Sequence, residues 1–341
     1  MPLRLSVIIC SHNPRADYLQ ATLDGLWAQT LGWQNWEIIL IDNASTVPLR
    51  KTVDISKRIH ARIVEESALG LTPARLRGIR EAQGKYLLFV DDDNILAPDY
   101  AETVLRLASQ HPTLGCFGAG IIEPRFEVQP APEMEPYLES LALRRIKKSL
   151  WSNHPQDSVI PWGAGLVVSR VVAQAYAKSV EESPLKQKLD RSGTSLISGG
   201  DDEFTWVTCE AGYGKGLFTE LSLIHLISAK RVTKDYLLKL AEAQAVSRVM
   251  LAHIHQVHPP GYVYRSSPID VAKAAAKLNV SAFLGHAQSW WESRGTPAVQ
   301  REFEEAVRRG TKHGLACLQK QSRAEDAWPT PEPTIPAKPL T

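Results

Sequence analysis

Short apolar runs alternate with amphipathic stretches along the first third of the chain. "LSVIIC" (5–10) is mostly apolar and β-branched and stops abruptly at "SHNPR", the pattern of a strand buried on both faces. "YLQATLDGLWAQT" (18–30) carries its apolar residues at helical spacing. "WEIILIDNAS" (36–45) is a second buried strand ending in polar turn residues. "TPARLRGIREAQG" (72–84) predicts a helix with Thr72 as N-cap, Pro73 at the first helical position and Gly84 at its end. "KYLLFVDDD" (85–93) is a third buried strand, "APDYAETVLRLASQH" (97–111) another helix and "LGCFGAGII" (114–122) another strand. Strands alternating with helices imply an α/β fold, a mostly parallel sheet covered on both faces. Such sheets bind ligands beyond the carboxyl ends of their strands. Polar residues gather there: Ser11 to Arg15, Asp42 to Ser45, and Asp91 to Asn94.

The rest of the chain is less regular at first and then helical. Residues 123–160 carry prolines and the basic stretch "LRRIKKSLW" (143–151). "VIPWGAGLVVSRVVAQAY" (159–176) returns to strand and helix. "ISGGDDEFTWVTCEAGYGKGLF" (197–218) reads as a loop, a helix from about Glu203 and a glycine stop, and "LSLIHLI" (221–227) as a short strand. From residue 233 the pattern is helical, with further amphipathic helices at "SPIDVAKAAAKL" and "VQREFEEAVRRGTKHGLACLQ". The expected divisions are an α/β domain at 1–232, a helical region at 233–323 and a Pro-rich disordered tail at 324–341.

Composition narrows the classes. With 44% hydrophobic and 22% charged residues the chain has a globular profile. Its net charge of +2 gives no general electrostatic case for nucleic acid. Cys10, Cys116, Cys209 and Cys317 lie far apart without a CxxC pair, which argues against a zinc ribbon or disulfide framework and suits a reducing cytoplasm. No run approaches the apolar length of a spanning helix. "RRIKK" (144–148) reads as a solvated face, and it leaves peripheral contact with an anionic membrane open.

Three aspartates, Asp91, Asp92 and Asp93, end the third strand. Like charges this close are unfavourable unless a cation or hydrogen-bond donors compensate. Mg²⁺ or Mn²⁺ meets that need, with substrate phosphates completing the shell. An EF-hand is rejected, because loop position 6 is Leu96 where the turn needs glycine. Asp42 follows a strand and suits a base or ribose contact. "SGGDDEF" (198–204) offers either helix-capping carboxylates or a general base. His225 sits in an apolar strand, where a packed imidazole and a metal ligand are the two readings. "HIHQVH" (253–258) fits no metal spacing well, "GYGKG" (212–216) lacks the phosphate-loop spacing, and "SWWES" (289–293) reads as packing.

In this order the pieces resemble the family 2 glycosyltransferases of the GT-A fold. The likeness runs from "LSVIICSHNPR" through "EIILIDNAS", "GLTPARLRGIREAQGKYLLFVDDDNILAPDY", "PWGAGLVVSR" and "SGGDDEFTWVTCEAGYGKGLF" to "LSLIHLISAKRVTKDYLLKL", residues 4 to about 240. It implies metal-dependent, inverting transfer of a sugar from a nucleotide-sugar, typically a UDP-sugar, to an acceptor hydroxyl in polysaccharide or glycoconjugate assembly. The acceptor would be a carbohydrate or a lipid-linked one. The family's motifs put Ser11, Asn13, Arg15, Asp42, Asn43, Gly70, Arg75, Asp91 and Asp92 around the nucleotide. They put Asp93 and His225 on the metal and Trp162, Gly163, Ala164 and Glu203 around the substrate. Strand alternation points Asp92 away from its neighbours. Asp201 falls on the family's catalytic aspartate, but the usual preceding glutamate is Gly200 here and Asp202 follows, so the base is either aspartate. The family's "ARNxG" is "ARLRG", with Leu76 for asparagine. The rival readings are a GDP- or dTDP-sugar donor, a nucleotide-binding module without transfer, and a metal-dependent phosphatase.

Overall fold

In a computed structural model of the chain, residues 3–55, 60–257 and 297–325 are described. The central element is one mixed sheet. Its first half is parallel: β3 (Ala61–Glu66), β2 (Trp36–Asn43), β1 (Leu5–Ser11) and β4 (Tyr86–Asp91) lie side by side in that order. The second half runs on through β9 (Leu166–Ser169), β6 (Leu114–Phe126) and β10 (Gly214–Ile227) to β5 (Asn94–Leu96). There β6 and β10 are parallel, while β9 and β5 are antiparallel to their neighbours. The small strands β7 (Arg144–Arg145) and β8 (Leu150–Ser152) extend β6 and β10. The expectation of a mostly parallel sheet thus holds for the N-terminal half. The antiparallel members are strands of two to four residues, reached without the helical crossover that a parallel pair requires.

The apolar runs of β1, β2 and β4 feed two cores by strict alternation. Val7, Ile9, Ile38, Leu40, Leu88 and Val90 face one side, packed with α1 (Ala16–Trp27) and α3 (Tyr100–Gln110). Ile8, Ile39, Ile41, Leu87 and Phe89 face the other, against α2 (Leu71–Glu81), α4 (Arg170–Glu181) and α5 (Gly200–Glu210). A Cβ at Gly78 would come within 2.5 Å of Ile8, so glycine at that position lets α2 lie directly on β1. The strand β3 escapes the hydrophobic pattern because it is an edge strand, half-buried, with Ile63 and Val64 between charged residues.

Two helix starts differ from expectation. The N-cap of α2 is Gly70, not Thr72; Thr72 is buried and its hydroxyl donates to Asp190. The helix α5 begins at Gly200 rather than Glu203, which brings Asp201, Asp202 and Glu203 into its first turn, where the helix dipole favours carboxylates.

The helical region contributes α6 (Lys234–Ile254) and α7 (Ala298–Glu325). They approach so closely that a Cβ at Gly310 would lie 2.1 Å from the Glu242 carbonyl. Phe303 of α7 stacks on Tyr137, which ties this pair to the 3₁₀ stretch Pro132–Leu141. No helix among the described residues is long and apolar enough to cross a membrane. The expected helix at 267–278, the "SWWES" segment and most of the tail lie outside the described residues, as does His258.

Candidate active site

Strand order reverses between β1 and β4, since β1 leads outward to β2 and β3 on one side and β4 lies on the other. A cleft opens at the carboxyl ends there. Register places Cys10 beside Asp91 and Ser11 beside Asp42. A cavity of about 640 Å³ occupies the cleft, large enough for a nucleotide-sugar-sized ligand. Other elements close it, among them the 162–164 loop, the 190–193 loop, the start of α5, and α6 through Gln244, Ser247, Arg248 and Leu251.

The aspartate run turns instead of continuing as a strand. β4 ends at Asp91, residues 92 and 93 form a turn, and β5 starts at Asn94. Asn94 fixes the turn: its side chain accepts from the Asp91 N–H and donates to Asp93 Oδ1. All three carboxylates therefore line the cavity. This corrects the alternation argument, which holds only for extended backbone. Asp92 accepts a 2.5 Å hydrogen bond from the Ser11 hydroxyl. Burial, followed by the charge of Asp93, pushes Asp91 up to about 6 and Asp92 up to about 7. Burial would raise Asp93 as well, but His225 and then Arg231 hold it down to about 2.

His225 is 3% exposed on β10, with Nε2 3.3 Å from Asp93 Oδ2. Arg231, from the turn Ala229–Val232, sits against both, its Nη1 2.8 Å from Asp93 Oδ2 and 3.0 Å from His225 Nε2. One carboxylate oxygen and one imidazole nitrogen are suitable donors for Mn²⁺ or Mg²⁺, and the buried Nδ1 of His225 has no hydrogen-bond partner. The donor set fits a divalent cation whose remaining ligands come from elsewhere, since no group of three or more His, Cys, Asp or Glu among the described residues is placed to hold one. In this structure the positive charge between the pair is the Arg231 guanidinium.

A second cluster lines the same cavity. Arg75 of α2 is 3% exposed; its Nη1 donates to Asp190 Oδ2 at 3.0 Å and its Nη2 to Asp201 Oδ1 at 2.6 Å. The other oxygen of Asp201 accepts the Gly163 N–H at 2.7 Å. A Cβ at Gly163 would press within 2.5 Å of Arg75 and 3.0 Å of Asp201, so the loop must be glycine to come this close. Asp202 lines the cavity beside them. Burial, then the charge of Asp201, pushes its carboxyl up to about 7.

Residues 6–170 match the family model described as glycosyl transferase family 2. This segment belongs to that family. Among curated relatives, the uncharacterized glycosyltransferase YibD of Escherichia coli is 36% identical over 110 residues, covering 31% of this chain and 30% of its own. Validoxylamine A glucosyltransferase of Streptomyces hygroscopicus subsp. jinggangensis is 31% identical over 169 residues, covering 46% of this chain and 38% of its own. The match thus spans between 30% and 38% of these relatives' own length. A solved structure of the mannosyltransferase PcManGT from Pyrobaculum calidifontis, in complex with GDP-Man and Mn²⁺, overlays with TM-score 0.57 at 17% identity, over 92% of this chain and 89% of that one. The fold is the GT-A glycosyltransferase fold.

Of the residues that the family 2 motifs single out, Ser11, Asn43, Gly70, Arg75, Asp91, Asp92 and Asp93 line the cavity. So do Trp162, Gly163, Ala164, Asp201, Asp202 and His225. Four others are absent from its lining. Asp42 is spent on its own turn, accepting the Ser45 and Leu49 N–H groups. Asn13 likewise accepts from Thr46. Arg15 points outward to Asp17 and Glu127. Glu203 is fully buried between Lys186 and His255, so it braces α5 against its neighbours instead of meeting substrate. Conversely, Asp190, Arg191, Arg231 and Arg248 line the cavity although none is among the residues that the resemblance singles out; each sits in loop or helix with no spacing to mark it.

Proposed function

We propose that this protein is a metal-dependent, inverting glycosyltransferase that moves a sugar from a nucleotide-sugar, foremost a UDP-sugar, to an acceptor hydroxyl in polysaccharide or glycoconjugate assembly. The observation that carries this reading is the meeting of two acidic groups in one cavity, Asp91 to Asp93 at the end of β4 and Asp201 with Asp202 at the start of α5. A hydrolytic phosphatase would not need the second, and a binding module would not need a carboxylate fixed by Arg75.

In this reading the nucleotide lies over the β1 and β4 ends, against Ser11, Asn43 and Gly70. Asn43 shapes that wall by accepting the Gly70 N–H and donating to the Ala68 carbonyl. Asp93 and His225 would hold Mn²⁺ or Mg²⁺, which when bound supplies positive charge against the leaving diphosphate. Arg231 and Arg191, also in the lining, bring further positive charge to the same wall. Asp201 takes the proton of the acceptor hydroxyl; Arg75 and the Gly163 N–H fix its two oxygens so that the base is in place before the acceptor arrives. Attack from the face opposite the leaving group inverts the anomeric carbon. The wall made by α6, with Gln244, Ser247 and Arg248, receives the acceptor, a carbohydrate or a lipid-linked one.

The test is to incubate the protein with UDP-, GDP- and dTDP-sugars and Mn²⁺ and to measure released nucleoside diphosphate. Release with one donor class, lost in Asp201→Asn while that nucleotide still binds, supports the reading. Binding without turnover for every donor and acceptor would favour a module, and inorganic phosphate from a monoester would favour a phosphatase.

A further inference from the structure

Asp190 lies outside every motif, yet its side chain accepts three hydrogen bonds in the site. It accepts from Arg75 Nη1 at 3.0 Å, from the Thr72 hydroxyl at 3.2 Å and from the Gly200 N–H at 3.2 Å. The stretch of chain carrying it is lashed to both neighbouring helix starts. The Leu71 N–H donates to the Arg191 carbonyl and the Gly199 N–H to the Leu189 carbonyl. Thus one carboxylate joins the first turns of α2 and α5 and orients the guanidinium whose other nitrogen holds Asp201.

Gly200 is what admits it. A Cβ at position 200 would lie 2.2 Å from Asp190 Oδ2 and 2.6 Å from its carboxyl carbon. No side chain at 200 can coexist with Asp190 where it stands. Geometry also indicates which residue could replace the pair. The carboxyl carbon of a glutamate lies two C–C bonds from its Cβ, about 2.5 Å away, close to the separation measured here. A glutamate at 200 could therefore present its carboxylate at the point where Asp190 presents its own. The chain resembles a family that usually carries glutamate at this position, and here it carries glycine.

We propose that Asp190 is a positioning residue for the catalytic step: it acts through Arg75 on Asp201, and its carboxylate stands in for one that Gly200 does not supply. This rests on the reading of Asp201 as the base. If the inference holds, the native Asp190 and Gly200 are interchangeable with the double substitution Asp190→Ala/Gly200→Glu, whereas either substitution alone is defective.

The experiment compares the full-length wild type with Asp190→Ala, Asp190→Asn, Gly200→Glu and the double variant Asp190→Ala/Gly200→Glu. For each, kcat and KM for nucleoside diphosphate release are measured beside Tm. Asp190→Ala and Asp190→Asn are expected to lose about tenfold or more in kcat, with donor KM within about twofold, because the base is misplaced while the nucleotide wall is untouched. Gly200→Glu alone should be worse, since two carboxylates contend for one space. The double variant should regain kcat to within about threefold of wild type. A double variant with restored Tm but no better kcat than Asp190→Ala would overturn the proposal and leave Asp190 a structural residue. If the wild type turns over no donor, the functional reading fails instead, and the guanidinium N–H resonances of Arg75 decide. Their protection from exchange, lost in Asp190→Ala and regained in the double variant, would support the substitution of one carboxylate for the other. Protection unchanged across the set would sink it.

Discussion

Two arginines line the same cavity, and each bridges a pair of acceptors. Arg75 lies between Asp190 and Asp201, and Arg231 between Asp93 and His225. Their surroundings differ. Arg75 rises from the first turns of a helix packed on the sheet, is 3% exposed and answers two carboxylates. Their field raises its affinity for the proton further despite the opposing effect of burial. Arg231 rises from a short turn, is 16% exposed in its side chain and answers one carboxylate and one imidazole. The first is part of the framework, and nothing small could replace it without leaving the buried Asp190 and the half-buried Asp201 unbalanced. The second holds a position that an external cation could take, because one carboxylate and one imidazole are ordinary ligands for a divalent metal.

The largest effect that bears on this contrast is on turnover. Asp201→Asn keeps the shape of the Arg75 cluster but removes the proposed proton acceptor, so kcat should fall by about 10²- to 10⁴-fold with nucleotide affinity retained. Release of nucleoside diphosphate at the wild-type rate would show that the framework cluster is not catalytic. Next is stability. Arg75→Met strips the counter-charge from Asp190 and Asp201 and should cost about 3–5 kcal/mol in a denaturant titration. Should Arg231→Met cost as much, the distinction between framework and replaceable cation is lost. Smaller again is metal affinity. Arg231→Met should tighten Mn²⁺ binding without nucleotide by about tenfold, equivalent to about 1.4 kcal/mol of competition. Free Mn²⁺ measured by electron paramagnetic resonance reads this directly; weaker binding in the variant would mean that Arg231 supports the metal instead of competing with it.

The two clusters were also unequally legible in the sequence. Asp93 and His225 stand out because one ends a buried apolar run and the other interrupts one, and period-two reading picks up such breaks. Arg75 emerges only from resemblance, and "SGGDDEF" offers Asp201 as either a general base or a helix-capping carboxylate until the resemblance chooses, since a helix start rich in charge is common. Asp190 leaves no trace, because its role depends on the return of a loop across two helices, and no local pattern encodes that. The same limit explains Asp92. Alternation predicted its direction from an extended backbone, but Asn94 folds residues 91–94 into a turn through two side-chain hydrogen bonds. Glu203 misled for the opposite reason: one residue of helix phase separates a carboxylate lining the cavity from one buried against Lys186 and His255.

The finest test concerns Asp202, which adjoins Asp201 yet has no ion pair among the described residues. Asp201 is held by a guanidinium and a backbone N–H; Asp202 meets burial and the charge of its neighbour, which push it from 3.8 up to about 7. The folded protein therefore binds this proton more tightly than the unfolded chain does. The stability it contributes is complete below about pH 4 and is lost as pH rises to about 7. Asp202→Asn removes a carboxylate that is costly when ionised. At pH 8 the variant should melt above wild type by about 4 °C, and the gap should close as pH falls toward 4. A gap that stays constant with pH would mean that Asp202 reaches solvent freely. In that case the wall beside Asp201 would be open to water, and the protection of the base would rest on Arg75 and Gly163 alone.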